Sequence, residues 1–269
     1  MLKFTKMNGA GNDFVMLDNR EGALALDREA IARICDRHRG IGADGVLVVE
    51  RAQDGADFRM RYYNADGGEA EMCGNGARCF ARFANRIAGR NDAPLRFETL
   101  AGVIAAEMLG DAVRITMSEP GAVELNQVVR MNGETMLVHS VNTGVPHAVT
   151  IVEELANAAV EPLGRQVRHH THFAPKGTNV NFAQPLGARE LAVRTYERGV
   201  EAETQACGTG VVASALVFHE LTGAEPPIGI QVAGGERMEV SFQKTSAGGY
   251  ESVTLTGPAD FVFEGEIAL

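Results

Sequence analysis

The sequence predicts an α+β protein built from two pseudo-symmetric, mixed α/β domains, and three observations carry that expectation. At 269 residues the chain suits two medium domains of roughly 100–200 residues. Strand-like runs outnumber helical patterns along its length. One segment also occurs twice: RYYNADGGEAEMCGNGARC overlays TYERGVEAETQACGTGVVA when Cys73 is placed on Cys207, about half the chain further on. Tyr62 then meets Tyr196, Glu69 meets Glu203, Gly74 meets Gly208 and Gly76 meets Gly210. Upstream, GNDFV from Gly11 and GVPHAV from Gly144 precede their cysteines by nearly the same interval. Pro and Gly in Glu119-Pro120-Gly121 interrupt a strand-like stretch and mark the boundary, giving domains 1–119 and 120–255.

The strand signals, in order, are GVLVVE, DFRMRYY, APLRFETL and AVRITMS in the first half, then HAVTIV, LAVRTYE and MEVSFQ in the second. Helical periodicity is strongest in four places. DREAIARICDRH has Asp27 as N-cap, an apolar stripe of Ala30, Ile31, Ile34 and Cys35, and Gly40 beyond its end. GNGARCFARFANRIAG and GTGVVASALVFHELTG follow Cys73 and Cys207 and stop at Gly89 and Gly223. The fourth is EELANAAVEPLG. Strand order is not contained in these patterns.

Composition excludes several classes of function. With 25 Lys plus Arg against 35 Asp plus Glu, the net charge is −10, and no basic run offers a footprint for nucleic acid. Hydrophobic residues at 45% and charged residues at 22% are ordinary for a globular chain and exclude a disordered one. The longest apolar run, Gly210 to Phe218, is broken by Ser214 and is too short to span a membrane. The N-terminal MLKFTKMNGAGNDF has polar residues where a signal peptide is apolar, so the expected location is the cytoplasm. Four cysteines in a chain of this length do not make a disulfide scaffold.

Two of those cysteines form a chemical pair. Cys73 and Cys207 each precede a helix, whose first-turn N–H groups and partial positive charge favour thiolate over thiol and bind carboxylates. The adjoining glycines let a ligand approach the backbone. Cys35 and Cys79 fall within helical patterns and read as core residues.

With GAGNDF, NADGGEAEMCGNGARC, GVPHAV, TNVNF and YERGVEAETQACGTG in place, the chain resembles the diaminopimelate epimerases along nearly its whole length. The resemblance implies two pseudo-symmetric domains, each a sheet wrapped around a central helix, with the strand after about residue 256 returning to the first. It implies a homodimer that needs no cofactor and no metal. The implied reaction interconverts LL- and meso-2,6-diaminopimelate in lysine and peptidoglycan synthesis, with the active site between the two domains. Inverting a carbon takes a base on one face and an acid on the other, which explains two sulfurs, Cys73 and Cys207. Which one is base for which stereoisomer stays open.

The same resemblance assigns Asn12, Asn64, Asn179 and Arg198 to the distal amino-acid end, with Arg198 forking onto its carboxylate. It assigns Gly74, Asn75, Gly208 and Thr209 to the reacting carboxylate and places Glu197 and His147 near the reacting centre. Two departures are visible. Val145 stands where many relatives carry Asn, and Gly45 where some carry Gln.

Three other readings compete. A proline-racemase-like enzyme would not need Arg198 and three asparagines for a second amino-acid centre. A thiol–disulfide redox protein would favour CxxC over two cysteines half a chain apart. A non-catalytic amino-acid-binding protein would have no use for two thiols at helix starts. The His169, His170 and His172 cluster lacks nearby acidic or thiol ligands and reads as a solvated loop.

Overall fold

β1 (Leu2–Gly9) and β2 (Asn12–Asp18) form an antiparallel pair, with β2 buried in succession from Phe14 to Leu17. Helix α1 (Arg28–Cys35) begins where Asp27 accepts the Ala30 N–H at 2.8 Å, and it crosses over to β3 (Gly45–Arg51), parallel to β2. β4 (Phe58–Asn64) pairs antiparallel with β3, and short β5 (Glu69–Ala70) folds back on it. Helix α2 (Gly74–Ile87) then leads to β6 (Leu95–Thr99), parallel to β4, and to the antiparallel run β7 (Gly102–Leu109) and β8 (Ala112–Thr116). β3 is buried from Gly45 to Val49 because α1 covers one face of the sheet and α2 the other. Ile31, Ile34 and Cys35 pack on Val46 and Val48, while Phe80 of α2 meets Phe97 with ring centroids 4.7 Å apart. α2 touches β1 to β4 and β6 to β8, so the sheet wraps around it.

The second unit repeats the plan after one additional strand, β9 (Glu124–Met131), which forms a hairpin with β10 (Glu134–Asn142). β11 (Pro146–Ile151) is antiparallel to β10 and parallel to β12 (Asn179–Gly187), with α3 (Val160–Arg168) in the crossover. β13 (Glu190–Glu197) and β14 (Ala202–Thr204) precede α4 (Gly208–Thr222), which leads to β15 (Ile228–Val232), parallel to β13. β16 (Arg237–Lys244) and β17 (Tyr250–Pro258) follow. The register repeats as well: Phe58 opposite Phe97 corresponds to Ala192 opposite Gln231, under the same offset that carries Cys73 onto Cys207.

The last strand, β18 (Asp260–Ile267), pairs antiparallel with β1 from Leu2 opposite Ile267 to Asn8 opposite Asp260. The structure, a computed structural model, describes residues 1–131 and 133–268, divided into one unit of Met1–Thr116 with Thr256–Leu269 and a second of Met117–Leu255.

One helix differs from the sequence expectation. EELANAAVEPLG contributes only a 3₁₀ turn at Leu155–Asn157 and the start of α3, which continues past Gly164 to Arg168. Gly164 is not a helix end. A Cβ there would come within 2.5 Å of the Tyr196 Cβ, so glycine lets α3 lie flat on β13.

Candidate active site

In the first unit the residues around Cys73 form a continuous polar chain. Cys73 is the N-cap of α2, and the first intrahelical bond runs from the Ala77 N–H to the Cys73 carbonyl at 2.7 Å. Gly74 and Asn75 supply the first turn, where the helix presents its positive end. The buried Asn75 donates to the Asn12 side-chain oxygen at 2.7 Å, and Asn12 donates to Asp44 at 3.0 Å. On the other side the Asn75 oxygen accepts from Arg78 at 2.8 Å. Asn12 and Asn75 are thus brought together, with Asp44 and Arg78 as members that sequence reading missed. Asn64 is exposed at the end of β4, where its N–H donates to the Gly68 carbonyl at 2.9 Å.

In the second unit Cys207 caps α4, with its sulfur 3.5 Å from the Thr209 hydroxyl. Thr143 donates to the Thr209 carbonyl at 3.1 Å, fixing the first turn beside Gly208. Asn179 bridges its surroundings: its amide donates to the Pro146 carbonyl at 3.2 Å and its oxygen accepts the Arg198 N–H at 2.8 Å. Arg198 also donates from its guanidinium to the Lys176 carbonyl at 3.3 Å. Glu197 accepts from Thr204 at 3.0 Å; burial pushes its carboxyl above the ordinary value, and the Thr204 bond opposes this only in part.

His147 is 1% exposed. Its Nδ1 lies 3.1 Å from the Asn181 amide nitrogen, which also donates to the Ala148 carbonyl at 3.0 Å. An Nδ1 that accepts leaves the proton on Nε2, which has no hydrogen-bond partner among the described residues. Burial, helped by the charge of Arg198, lowers its pKa to about 3, so the ring is neutral at physiological pH. Asn181 was also missed by sequence reading. It stands in the same TNVNF run as Asn179, and its oxygen accepts from Thr195 at 2.9 Å.

The other two thiols lie in the core. Cys35 is 4% exposed and Cys79 is 0% exposed; burial raises their pKa values to about 11 and about 12. Gly45 is a packing requirement in this chain, since a Cβ there would approach the Tyr63 carbonyl to 2.5 Å and the Tyr62 ring to 2.8 Å. The three clustered histidines face three partners. His169 meets Glu201 at 3.3 Å, His170 the Arg130 carbonyl at 3.1 Å and His172 the Gln127 side chain at 3.2 Å. Among the described residues no group of three His, Cys, Asp or Glu side chains is arranged to hold a metal ion. Among them, too, no helix is long and apolar enough to cross a membrane.

Comparison of folds places the chain in a class. A phenazine biosynthesis protein of the PhzF family from Bacillus anthracis superimposes with a TM-score of 0.76 at 16% identity, covering 100% of this chain and 99% of that one. A probable proline racemase from Agrobacterium radiobacter K84 superimposes with a TM-score of 0.73 at 16% identity, covering 100% and 93%. These define the two-unit mixed α/β fold. The family comes from sequence: the diaminopimelate epimerase profile matches residues 4–124 and 139–262. A diaminopimelate epimerase of Aquifex aeolicus is 40% identical over 99% of this chain and 98% of its own, and one of Chlorobaculum tepidum is 40% identical over 98% and 100%. The chain belongs to the diaminopimelate epimerase family and is an isomerase.

Proposed function

We propose that this protein interconverts LL- and meso-2,6-diaminopimelate by moving the α-proton between Cys73 and Cys207, without a cofactor, as a cytoplasmic homodimer serving lysine and peptidoglycan synthesis. The observation that carries the reading is the pair of cysteine N-caps, each opening a long helix at the same place in a repeated plan. An α-proton is far less acidic than any side chain, so its removal requires a thiolate in a dry site and stabilisation of the charge that develops. One cysteine acts as thiolate and the other as thiol, on opposite faces of the carbon. The first turns of α2 and α4, with Gly74, Asn75, Gly208 and Thr209, receive the reacting carboxylate.

Asn12, Asn64, Asn179 and Arg198 hold the distal amino-acid end, where Arg198 supplies the bidentate fork. Asn12 and Asn179 already share their amides with the protein, so their orientation is set before substrate arrives. His147 and Glu197 border the reacting centre, where burial holds the His147 ring neutral and pushes the Glu197 carboxyl above its ordinary value.

The test is turnover of unlabelled LL-diaminopimelate by reduced protein in D₂O with no cofactor added. A donor thiol exchanges with solvent, so early meso product carries deuterium while recovered substrate stays largely protiated. Product that keeps the substrate's own α-proton would exclude the two-thiol route. Inactivity on diaminopimelate with turnover of proline would replace the substrate assignment.

A further inference from the structure

The described residues include two buried cations, Lys6 and Arg78. Lys6 is paired with Asp13 at 2.8 Å. Arg78 is fully buried in α2, and its guanidinium donates to neutral oxygens: the Pro258 carbonyl at 3.2 Å, the Gly74 carbonyl at 3.3 Å and the Asn75 side chain at 2.8 Å. Side chains on a helix lean toward its N-terminus, and the bonds to Gly74 and Asn75 show that this guanidinium does so, ending beneath the turn that Cys73 caps.

We infer that Arg78 is a positioning residue whose unneutralised charge stabilises the Cys73 thiolate and makes the two thiols unequal, since the equivalent position in α4 is Val212. The inference rests on the reading of Cys73 as a base. A buried guanidinium without a carboxylate is costly, and a neighbouring anion is what offsets that cost. Burial weakens the hold of Arg78 on its proton, and the opposing electrostatic contributions come from Cys79 and Cys73. Of these two, Cys79 is pushed up to about 12 by burial and remains a thiol, which leaves Cys73 as the candidate anion.

Most of the other charged groups on α2 and on the strands packed against it are paired; Arg51 and Arg96 are exposed, and Arg59 on β4 is half-buried. Arg82 meets Asp111 at 2.6 Å and Asp260 at 3.8 Å, and Arg86 meets Glu264 at 2.5 Å. Asp13 meets Lys6 and Arg37, each at 2.8 Å. Arg61 meets Glu69 at 2.8 Å, Arg114 meets Glu107 at 2.8 Å, and Glu71 is exposed. None of them supplies a lone positive charge under the cap.

The experiment is peptide-resolved alkylation by iodoacetamide across pH on the reduced full-length protein, giving a separate midpoint for Cys73 and Cys207. It reads charge at the sulfur and not turnover, so it stands or falls independently of the substrate assignment. In the unmodified protein the Cys73 midpoint is expected below that of Cys207; equal midpoints or the reverse order would overturn the inference without any variant. In Arg78→Met the Cys73 midpoint should rise by about one pH unit, roughly a tenfold loss of thiolate at a fixed lower pH, while Cys207 keeps its value. Arg78→Lys, which retains a charge, should recover most of that shift. A folded Arg78→Met protein with an unmoved Cys73, or with both midpoints moved together, would also overturn it.

Discussion

Helix α2 carries Arg78, Arg82 and Arg86, whereas the equivalent positions of α4 are Val212, Leu216 and Glu220. α4 is buried from Val211 to Phe218, so apolar burial anchors its middle, while near its end Glu220 meets Lys244 at 2.8 Å. The arginines of α2 reach the segment that returns from the far end of the chain: Arg78 donates to the Pro258 carbonyl, Arg82 to the Ala259 carbonyl at 2.8 Å, and Arg86 lies over the Phe261 ring at 3.9 Å. The second unit completes its corresponding sheet edge with β9, a hairpin neighbour of β10. Closing a short loop costs less entropy than recruiting a strand from far along the chain, so only the first unit needs side chains that grip the incoming strand. A repeated plan has thus been stabilised by unlike means, and α2 carries a buried arginine where α4 carries Val212.

The largest expected effect treats both halves alike. Cys73→Ala or Cys207→Ala should lower epimerisation by about 10²–10⁴-fold or more, the range for removing a proton-transfer group, with circular dichroism unchanged. Cys35→Ala and Cys79→Ala should stay active, since both thiols lie in the core. A folded Cys79→Ala protein with no turnover would move the chemistry to another sulfur.

Arg198→Lys comes next. An ammonium cannot reproduce a bidentate fork, and losing one charge-assisted bond worth about 1.5–3 kcal/mol predicts a fall in kcat/KM of about 10- to 100-fold. Steady-state kinetics on diaminopimelate that match the unmodified enzyme would remove Arg198 from the substrate's distal end.

Much of this arrangement is legible in the sequence. The Asp27 cap, the glycines after α2 and α4 and the repeat around the two cysteines have local signatures, because caps and periodicity are short-range features. α3 escapes local reading because its interior Gly164 answers to the Tyr196 side chain on a strand beyond it in the chain, and no local pattern records that contact. Arg78 escapes it for a related reason. On a helix rich in arginine, nothing in the sequence distinguishes the buried one from those at the surface; only the fold does, by laying β18 and its flanking carbonyls against α2.

Acid should separate the two units. Asp13 and His147 occupy corresponding places on β2 and β11 when Cys73 is set on Cys207. Burial pushes the Asp13 carboxyl up, but the hydrogen bonds from Arg37 and Lys6 outweigh it and hold the pKa at about 2. This depressed carboxylate contributes stability that is present above 3.8 and lost as pH falls toward 2. His147 is depressed from 6.5 to about 3, so between those values the unfolded chain binds a proton that the folded one refuses. Stability therefore rises with pH across that window and is lost on acidification from 6.5. Between pH 6.5 and about pH 5 the unmodified protein should lose about 2 kcal/mol that His147→Gln does not, measured by urea unfolding at both pH values. Equal losses would mean that the His147 ring is charged in the folded protein.

The smallest effect tests where the likeness of the halves holds. α2 and α4 start differently but finish alike, each followed by a glycine in the left-handed region: Gly89 at φ 63° and Gly223 at φ 73°. Nothing lies within 4 Å of a Cβ placed at either, so Gly89→Ala and Gly223→Ala meet only the backbone cost of that conformation. Each should therefore destabilise the protein by about 1 kcal/mol, with Cys73 and Cys207 alkylation unchanged. Matching losses in urea would mark the helix ends as equivalent and confine the asymmetry to the starts, where Arg78 has no counterpart. A loss at Gly223 well beyond that at Gly89 would instead show that α4, which carries none of the three α2 arginines, depends on its C-terminal turn more heavily than α2 does.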